Sequence, residues 1–268
     1  MNQLMITDNE FKKFQGMIYD IAGISMSPAK KSLVSGRLAK RIKLHELDSY
    51  EAYFNFLMSK DAAEERQMAV DLLTTNETYF FREPKHFDFM RDKVLPAHRA
   101  GRPFRLWSAA SSSGEEPYSL AMLMSDVLGE SPWEIVASDL STRVLERARS
   151  GIYQMERTED IPEHYLKRFC LKGIGSQDGR FMVGRALRNR VQFRQVNLNE
   201  SLPKMGEFDV IFLRNVMIYF DMETKRQVVA RMIPLLAPGG YLIVGHSESL
   251  NGVTDALKVV NPSIYRKP

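Results

Sequence analysis

The hydrophobic period of this chain changes once along its length, and that change constrains its fold more than any other feature. Up to about residue 82, apolar residues recur at helical spacing: Phe11, Phe14, Met17, Ile18 and Ile21, then Val34, Leu38 and Ile42. Thr7 with Glu10 makes a capping box, Gly23 is a C′ stop, and Ser27 and Pro28 read as N-cap and N1 of the next helix. Two more helical patterns lie around Tyr50–Met58 and Ala62–Thr75. From about Arg105, short apolar runs alternate with amphipathic helices. FRLWSAA, WEIVASDL, VQFRQVNL, FDVIFLRN and GGYLIVGHS read as strands; GEEPYSLAMLMSDVL, STRVLERARSG and METKRQVVARMIPLL read as helices. This alternation predicts a mostly parallel, doubly wound sheet with helices on both faces. The fold class expected is α/β: a helical N-terminal domain (1–82), a linker (83–104) and a Rossmann-like domain (105–268). The Gly-rich stretch RFCLKGIGSQDGRFMVGRALRNRVQF exceeds what a crossover needs, and predicts a small antiparallel β insertion at about 160–195.

The lone Cys170 excludes an intrachain disulfide and suits a reducing, cytoplasmic compartment. Residues Met1–Glu10 carry no secretory pattern, and no apolar run approaches a membrane span. A net charge of +4 and a pI of about 9.0 favour an anionic partner without naming it.

Sheets of this kind bind ligands beyond the strand C-termini. The first strand ends in SAASSSGEEPYS (Ser108–Ser119), whose small residues let a ligand approach the backbone. This is neither G-x-G-x-x-G nor a P-loop. Glu115 and Glu116 would repel phosphate there and attract a cation or a free amino group. Asp139 ends the second strand, where it suits a grip on ribose hydroxyls or, alternatively, an N-cap for the next helix. Asn197 and Asn215 end later strands on the same edge, Asn197 where it could meet an adenine.

NETYFFRE (Asn76–Glu83), SAASSSGEEPYS, ASDLS (Ala137–Ser141), RNVMIYF (Arg214–Phe220) and LAPGGYLIVGHSES (Leu236–Ser249) together resemble the CheR chemotaxis receptor methyltransferases. The resemblance covers nearly the whole chain. It implies an adenosylmethionine-dependent methyltransferase that esterifies receptor glutamates in sensory adaptation, with S-adenosylhomocysteine as product and no metal. It implies cofactor contacts at Asn76, Thr78, Arg82, Glu115, Asp139, Asn197, Leu198, Arg214 and Asn215. Of these, Asn76, Thr78 and Arg82 come from the resemblance alone.

A glutamate acceptor is ionised at neutral pH and needs alignment rather than a general base. Arg82, as a guanidinium fork, and Tyr219, as a hydroxyl on a rigid ring, are the candidates for that alignment. Their plainer readings are a linker ion pair and a core aromatic. Among the basic residues after Pro28, Lys30, Arg37 and Arg41 recur at i, i+7 and i+11 and share one stripe. Nucleic acid is the generic inference, but interleaved aromatic platforms are lacking; an acidic receptor helix fits as well, and the resemblance favours it. In the insertion, Gly173 and Gly175 with Arg188 and Arg190 are candidates to hold a receptor's C-terminal peptide by β-addition. The rival readings are a nucleic-acid methyltransferase and a non-catalytic adenosylmethionine-binding protein. Direct membrane insertion is not expected.

Overall fold

The computed structural model describes residues 4–98 and 101–268. Two compact units result. The first comprises residues up to Thr75 together with Tyr219–Thr224; the second comprises Asn76–Ile218 and Lys225–Pro268.

Four helices build the first unit: α1 (Asp8–Ala22), α2 (Lys31–Leu44), α3 (Tyr50–Leu57) and α4 (Ala63–Leu73). The capping box is formed as expected, with the Thr7 hydroxyl accepting from Glu10 N and the Glu10 carboxylate accepting from Thr7 N at 2.7 Å. Gly23, at φ 70°, closes α1 in the left-handed region that favours glycine. Ser27 and Pro28 do not open α2 directly. Pro28–Lys30 form a single 3₁₀ turn, Ser27 makes no side-chain cap bond, and α2 begins at Lys31. Phe14 is fully buried and packs edge-on against Tyr50 and Phe54, while Val34, Leu38 and Ile42 bury the apolar face of α2. Residues from a distant part of the chain complete this unit. Ser25 N donates to the Tyr219 carbonyl at 2.8 Å, and the Tyr19 hydroxyl donates to Asp221 at 2.7 Å.

A seven-stranded sheet organises the second unit, in the order β6-β2-β1-β7-β8-β10-β9. Its strands are β1 (Phe104–Ser108), β2 (Trp133–Asp139), β6 (Val191–Gln195), β7 (Phe208–Leu213), β8 (Leu236–Val244), β9 (Lys258–Asn261) and β10 (Ile264–Arg266). The first five in spatial order pair in parallel; β10 pairs antiparallel with β8 and with β9. The chain winds outward from β1 to β2 and β6, then returns to β7 on the other side of β1. The switch point lies between β1 and β7. Helices α6 (Glu115–Leu128), α7 (Thr142–Ser150) and α10 (Met222–Met232) occupy the crossovers.

Three expectations change. The β9–β10 hairpin was not foreseen, because β9 is exposed along its whole length and shows no apolar alternation to read. The stretch expected as a linker carries α5 (Pro84–Phe89) and a π turn (Met90–Val94), whose Phe87, Met90 and Val94 join the sheet's core. The insertion begins earlier than expected: β3 (Ile152–Gln154), β5 (Arg180–Val183) and β4 (Cys170–Lys172) pair antiparallel in that spatial order, with α8 (Glu163–Phe169) between β3 and β4. A short α9 (Arg185–Arg188) then leads into β6, which belongs to the main sheet.

Candidate functional site

The loop after β1 is pinned at both ends of the switch point. Ala109 N donates to the Phe212 carbonyl of β7 at 2.9 Å, and Ser111 N donates to the Ser138 carbonyl of β2 at 2.8 Å. Gly114 has φ 97°, and a Cβ there would lie 2.9 Å from Ala148 Cβ, so only glycine fits between loop and α7. Ser112, at φ 47°, donates its N–H to Asp139 Oδ2 at 2.9 Å and its hydroxyl to the Asn76 carbonyl at 2.8 Å. Asp139 Oδ1 accepts from Ser141 N at 3.0 Å. The N-cap of α7 is Ser141, whose hydroxyl accepts from Val144 N. Asp139 is thus not the cap; its carboxylate faces the loop.

Two acids open α6 in unlike surroundings. Glu115 is 1% exposed; burial raises its pKa, partly offset by the Ser113 hydroxyl that donates to it at 2.7 Å. Arg157 stands 3.8 Å away and donates to the Thr78 carbonyl at 2.7 Å. Glu116 accepts from the Ser108 hydroxyl at 2.7 Å and from Arg214 Nη1 at 2.9 Å, yet burial still raises its pKa. Arg214 is itself buried, and its other terminal nitrogen donates to the Arg82 carbonyl and to Glu83 Oε2. Asn215, at φ 56°, donates its amide to Glu83 Oε1 at 3.1 Å and its backbone N–H to Glu248 at 2.8 Å. Asn197 and the buried Leu198 follow β6, which is tied to β2 where Val196 N donates to the Asp139 carbonyl.

Asn76, Thr78, Arg82, Glu115, Asp139, Arg214 and Asn215 are therefore joined through Ser112, Ser113, Arg157, Glu83 and Glu116. Sequence reasoning about strand ends missed the members before β1, since nothing in their spacing ties them to the sheet. Arg157 gave no signal at all; Glu83 lay unremarked inside a quoted motif. Among the described residues, the buried side-chain polar atoms without partners include Ser111 Oγ and Arg214 Nε, both on this edge. Unpaired buried donors on this edge call for a ligand with acceptor atoms, and the buried Glu115 carboxylate calls for a donor or cation. Among the described residues one group could approach a metal ion: Glu83, His86 and His246, with ligand atoms within 4.8 Å of one another. A cation there would face the Arg214 guanidinium, which shares Glu83 Oε2 at 2.9 Å.

Other predicted residues lie elsewhere. Tyr219 groups with the helical unit, where its carbonyl accepts from Ser25 N. Lys30 is exposed, but Arg37 donates to the carbonyls of Leu72, Leu73 and Thr74, and Arg41 pairs with Glu65. Arg188 is not on the small sheet; it crosses Gly151 and reaches the Ser150 carbonyl at 3.4 Å. Arg190 covers the Trp133 ring at 4.6 Å. Gly173 bonds to the Arg180 carbonyl in a turn with no room for a Cβ, and Gly175, at φ 60°, borders open space. Beside them the edge strand β4 leaves Leu171 57% exposed, and Ile174 is 83% exposed.

Residues 76–266 match the family described as CheR methyltransferase, SAM binding domain, and residues 9–74 match the CheR methyltransferase all-alpha domain. The chain belongs to the CheR methyltransferase family. Within it, this CheR chain is 42% identical over 262 residues to chemotaxis protein methyltransferase 2 of Pseudomonas aeruginosa, covering 97% of this chain and 93% of the relative. It is 40% identical over 266 residues to the chemotaxis protein methyltransferase of Escherichia coli, covering 98% and 92%, and 39% identical to that of Salmonella typhimurium, covering 98% and 91%. The CheR cofactor-binding match begins at Asn76, the residue whose carbonyl accepts from Ser112. It includes the 76–82 stretch that hydrophobic period had placed with the helices.

Proposed function

We propose that this CheR protein transfers the methyl group of S-adenosylmethionine to glutamate side chains of chemotaxis receptors, forming methyl esters in the cytoplasm. The observation that carries this reading is the junction of the Arg82 segment with the cofactor loop through Arg214, in a chain whose relatives are named chemotaxis protein methyltransferases. Glu115, a buried carboxylate at the loop, suits the amino group of the cofactor, and Asp139 its ribose. Asn76, Thr78, Asn197, Leu198, Arg214 and Asn215 complete the set that would hold it.

When bound, S-adenosylmethionine supplies an electrophilic methyl group on a sulfonium. The residues of this chain orient and desolvate the acceptor. Arg82 is half-buried, and its guanidinium donates to the Glu77 carbonyl at 3.0 Å and lies over the Tyr79 ring. These contacts occupy one terminal nitrogen and leave the rest of the fork for a carboxylate oxygen of the substrate. Tyr219 is proposed as a second donor to that carboxylate. No general base is needed, because the acceptor is already an anion. The exposed edge of β4 is proposed to take a receptor tail by β-addition, and the exposed lysines of α2 to meet the acidic receptor helix.

Incubation with labelled S-adenosylmethionine and a receptor cytoplasmic fragment tests the reading. Label released by mild alkali as volatile methanol identifies a methyl ester. Label that survives alkali, or that appears on RNA or DNA, overturns it.

A further inference from the structure

The turn that carries Arg82 is held in a costly backbone conformation by a side chain that the chemistry itself does not use. Among the described residues, Glu46, Phe81, Glu83, Ser112, Asn215 and Ser263 are the non-glycine residues with positive φ. Ser112, Asn215 and Glu83 belong to the edge described above, and Phe81 (φ 52°) and Glu83 (φ 58°) flank Arg82. Such conformations persist only where the surroundings over-determine them.

Glu83 supplies that constraint. Its Oε2 accepts from Arg214 Nη2 at 2.9 Å and from His246 N at 3.1 Å, and its Oε1 accepts from Asn215 Nδ2 at 3.1 Å. These donors come from the segments after β7 and β8. The Arg82 carbonyl accepts from the same Arg214 guanidinium. Behind Glu83 stands the buried His86, with Nδ1 at 3.4 Å. The Ser263 hydroxyl donates to the Pro262 carbonyl, so its oxygen accepts the Nε2 proton of His86 at 2.7 Å. His86 Nδ1 has no hydrogen-bond partner, so the three donors alone hold Glu83. A carboxylate offers only acceptors. A glutamine would have to aim its amide at Arg214, Asn215 or His246 N, all of them donors.

We propose that Glu83 is a positioning residue for methyl transfer: it locks the Phe81–Glu83 turn so that Arg82 meets the acceptor carboxylate at a fixed point. The inference rests on the role proposed above for Arg82. It assigns Glu83 to turnover through the turn; its bonds to Arg214 and Asn215, both in the proposed cofactor set, add a smaller loss of affinity.

The test is a double-mutant cycle in the full chain, with Glu83→Gln, Arg82→Lys and their combination. Methyl-ester formation is measured at saturating S-adenosylmethionine, S-adenosylhomocysteine affinity by calorimetry, and folding by thermal melting. Glu83→Gln is expected to slow turnover at saturating cofactor about tenfold or more, a larger factor than its loss of affinity. In the Arg82→Lys background the same substitution should add less than about threefold. Losses that multiply in the double variant overturn the proposal, since Glu83 would then act independently of Arg82. An unimpaired Arg82→Lys variant is a different failure, that of the Arg82 role itself, and the Glu83 inference falls with it. Should Glu83→Gln not fold, Glu83→Asp keeps the charge and withdraws the carboxylate by one methylene. It should also slow turnover, and wild-type turnover in that variant overturns the proposal.

Discussion

Glu115 and Asp139 are both buried acids at strand and helix ends, yet they answer to different tests. Burial raises the pKa of Glu115. A cationic amino group beside it demands the ionised form, so cofactor binding should be coupled to loss of a proton. Affinity for S-adenosylmethionine is expected to hold steady at neutral pH and to weaken as pH falls through the raised pKa. Glu115→Gln should bind more weakly and lose that pH dependence; a calorimetric series from pH 8 to about 5 checks both. Asp139 already accepts two backbone N–H groups, and a ribose hydroxyl would be one more donor. Asp139→Ala should weaken cofactor binding by roughly 1–3 kcal/mol, the range for a lost hydrogen bond to a charged group plus any loosening of the loop. Unchanged affinity in a folded variant removes Asp139 from the ribose site.

At the level of elements, the basic face of α2 divides into structural and free charge. Arg41 and the Tyr53 hydroxyl both donate to Glu65, which is 8% exposed. Burial alone would raise the Glu65 pKa; Arg41, Tyr53 and His45 more than offset it and hold it at about 2. A folded pKa below the unfolded value stabilises the helical unit above the ordinary carboxylate range. That stability is lost as pH falls from about 4.5 toward 2. Glu65→Gln should cost on the order of 2 kcal/mol at neutral pH and flatten acid unfolding of this unit, read by circular dichroism. Reversing Arg37 and Arg41, whose spacing made them look like a docking stripe, should therefore unfold helices rather than report on a partner. The informative variant is Lys30→Glu with Lys40→Glu and Lys43→Glu, since all three are exposed. It should lower receptor methylation most at low salt, with cofactor affinity intact. Normal methylation at low salt would make these lysines an ordinary solvated face. Period and caps revealed the helices, but the spacing of Arg37 and Arg41 could not show that α4 offers them carbonyls and a carboxylate.

For the whole molecule, what the sequence made legible follows from how each contact is encoded. Strands β1, β2, β6, β7 and β8 are apolar runs between turns, and their order along the chain exposed the ligand edge. The β9–β10 hairpin has no such run to betray β9. Asn76, Thr78 and Arg82 reach the edge through carbonyl contacts, which any side chain permits, so only resemblance could find them. The receptor-tail proposal also changes scale. Arg188 and Arg190 pack on Ser150 and Trp133, so the proposed tether rests on the β4 edge without them. Lys172→Pro removes a backbone donor from the open side of that edge, since Leu171 faces Met182 of β5, and should slow methylation of receptors that carry a C-terminal peptide while leaving truncated receptors unaffected. A tether raises local substrate concentration, up to the millimolar range for short flexible linkers, without touching chemistry. Equal rates of loss on both substrates would assign Lys172 to the fold alone.

The small sheet is rooted more deeply than its place as an insertion suggests. Tyr153 of β3 donates its hydroxyl to the Ser113 carbonyl at 2.8 Å, and its ring meets Phe80 and Phe181. A chimaera that exchanges this sheet between relatives at Gly151 would replace one wall of the loop after β1 along with the proposed docking edge. The graft that changes partner without changing chemistry must leave Tyr153, Phe181 and Phe80 together and cut only beyond them.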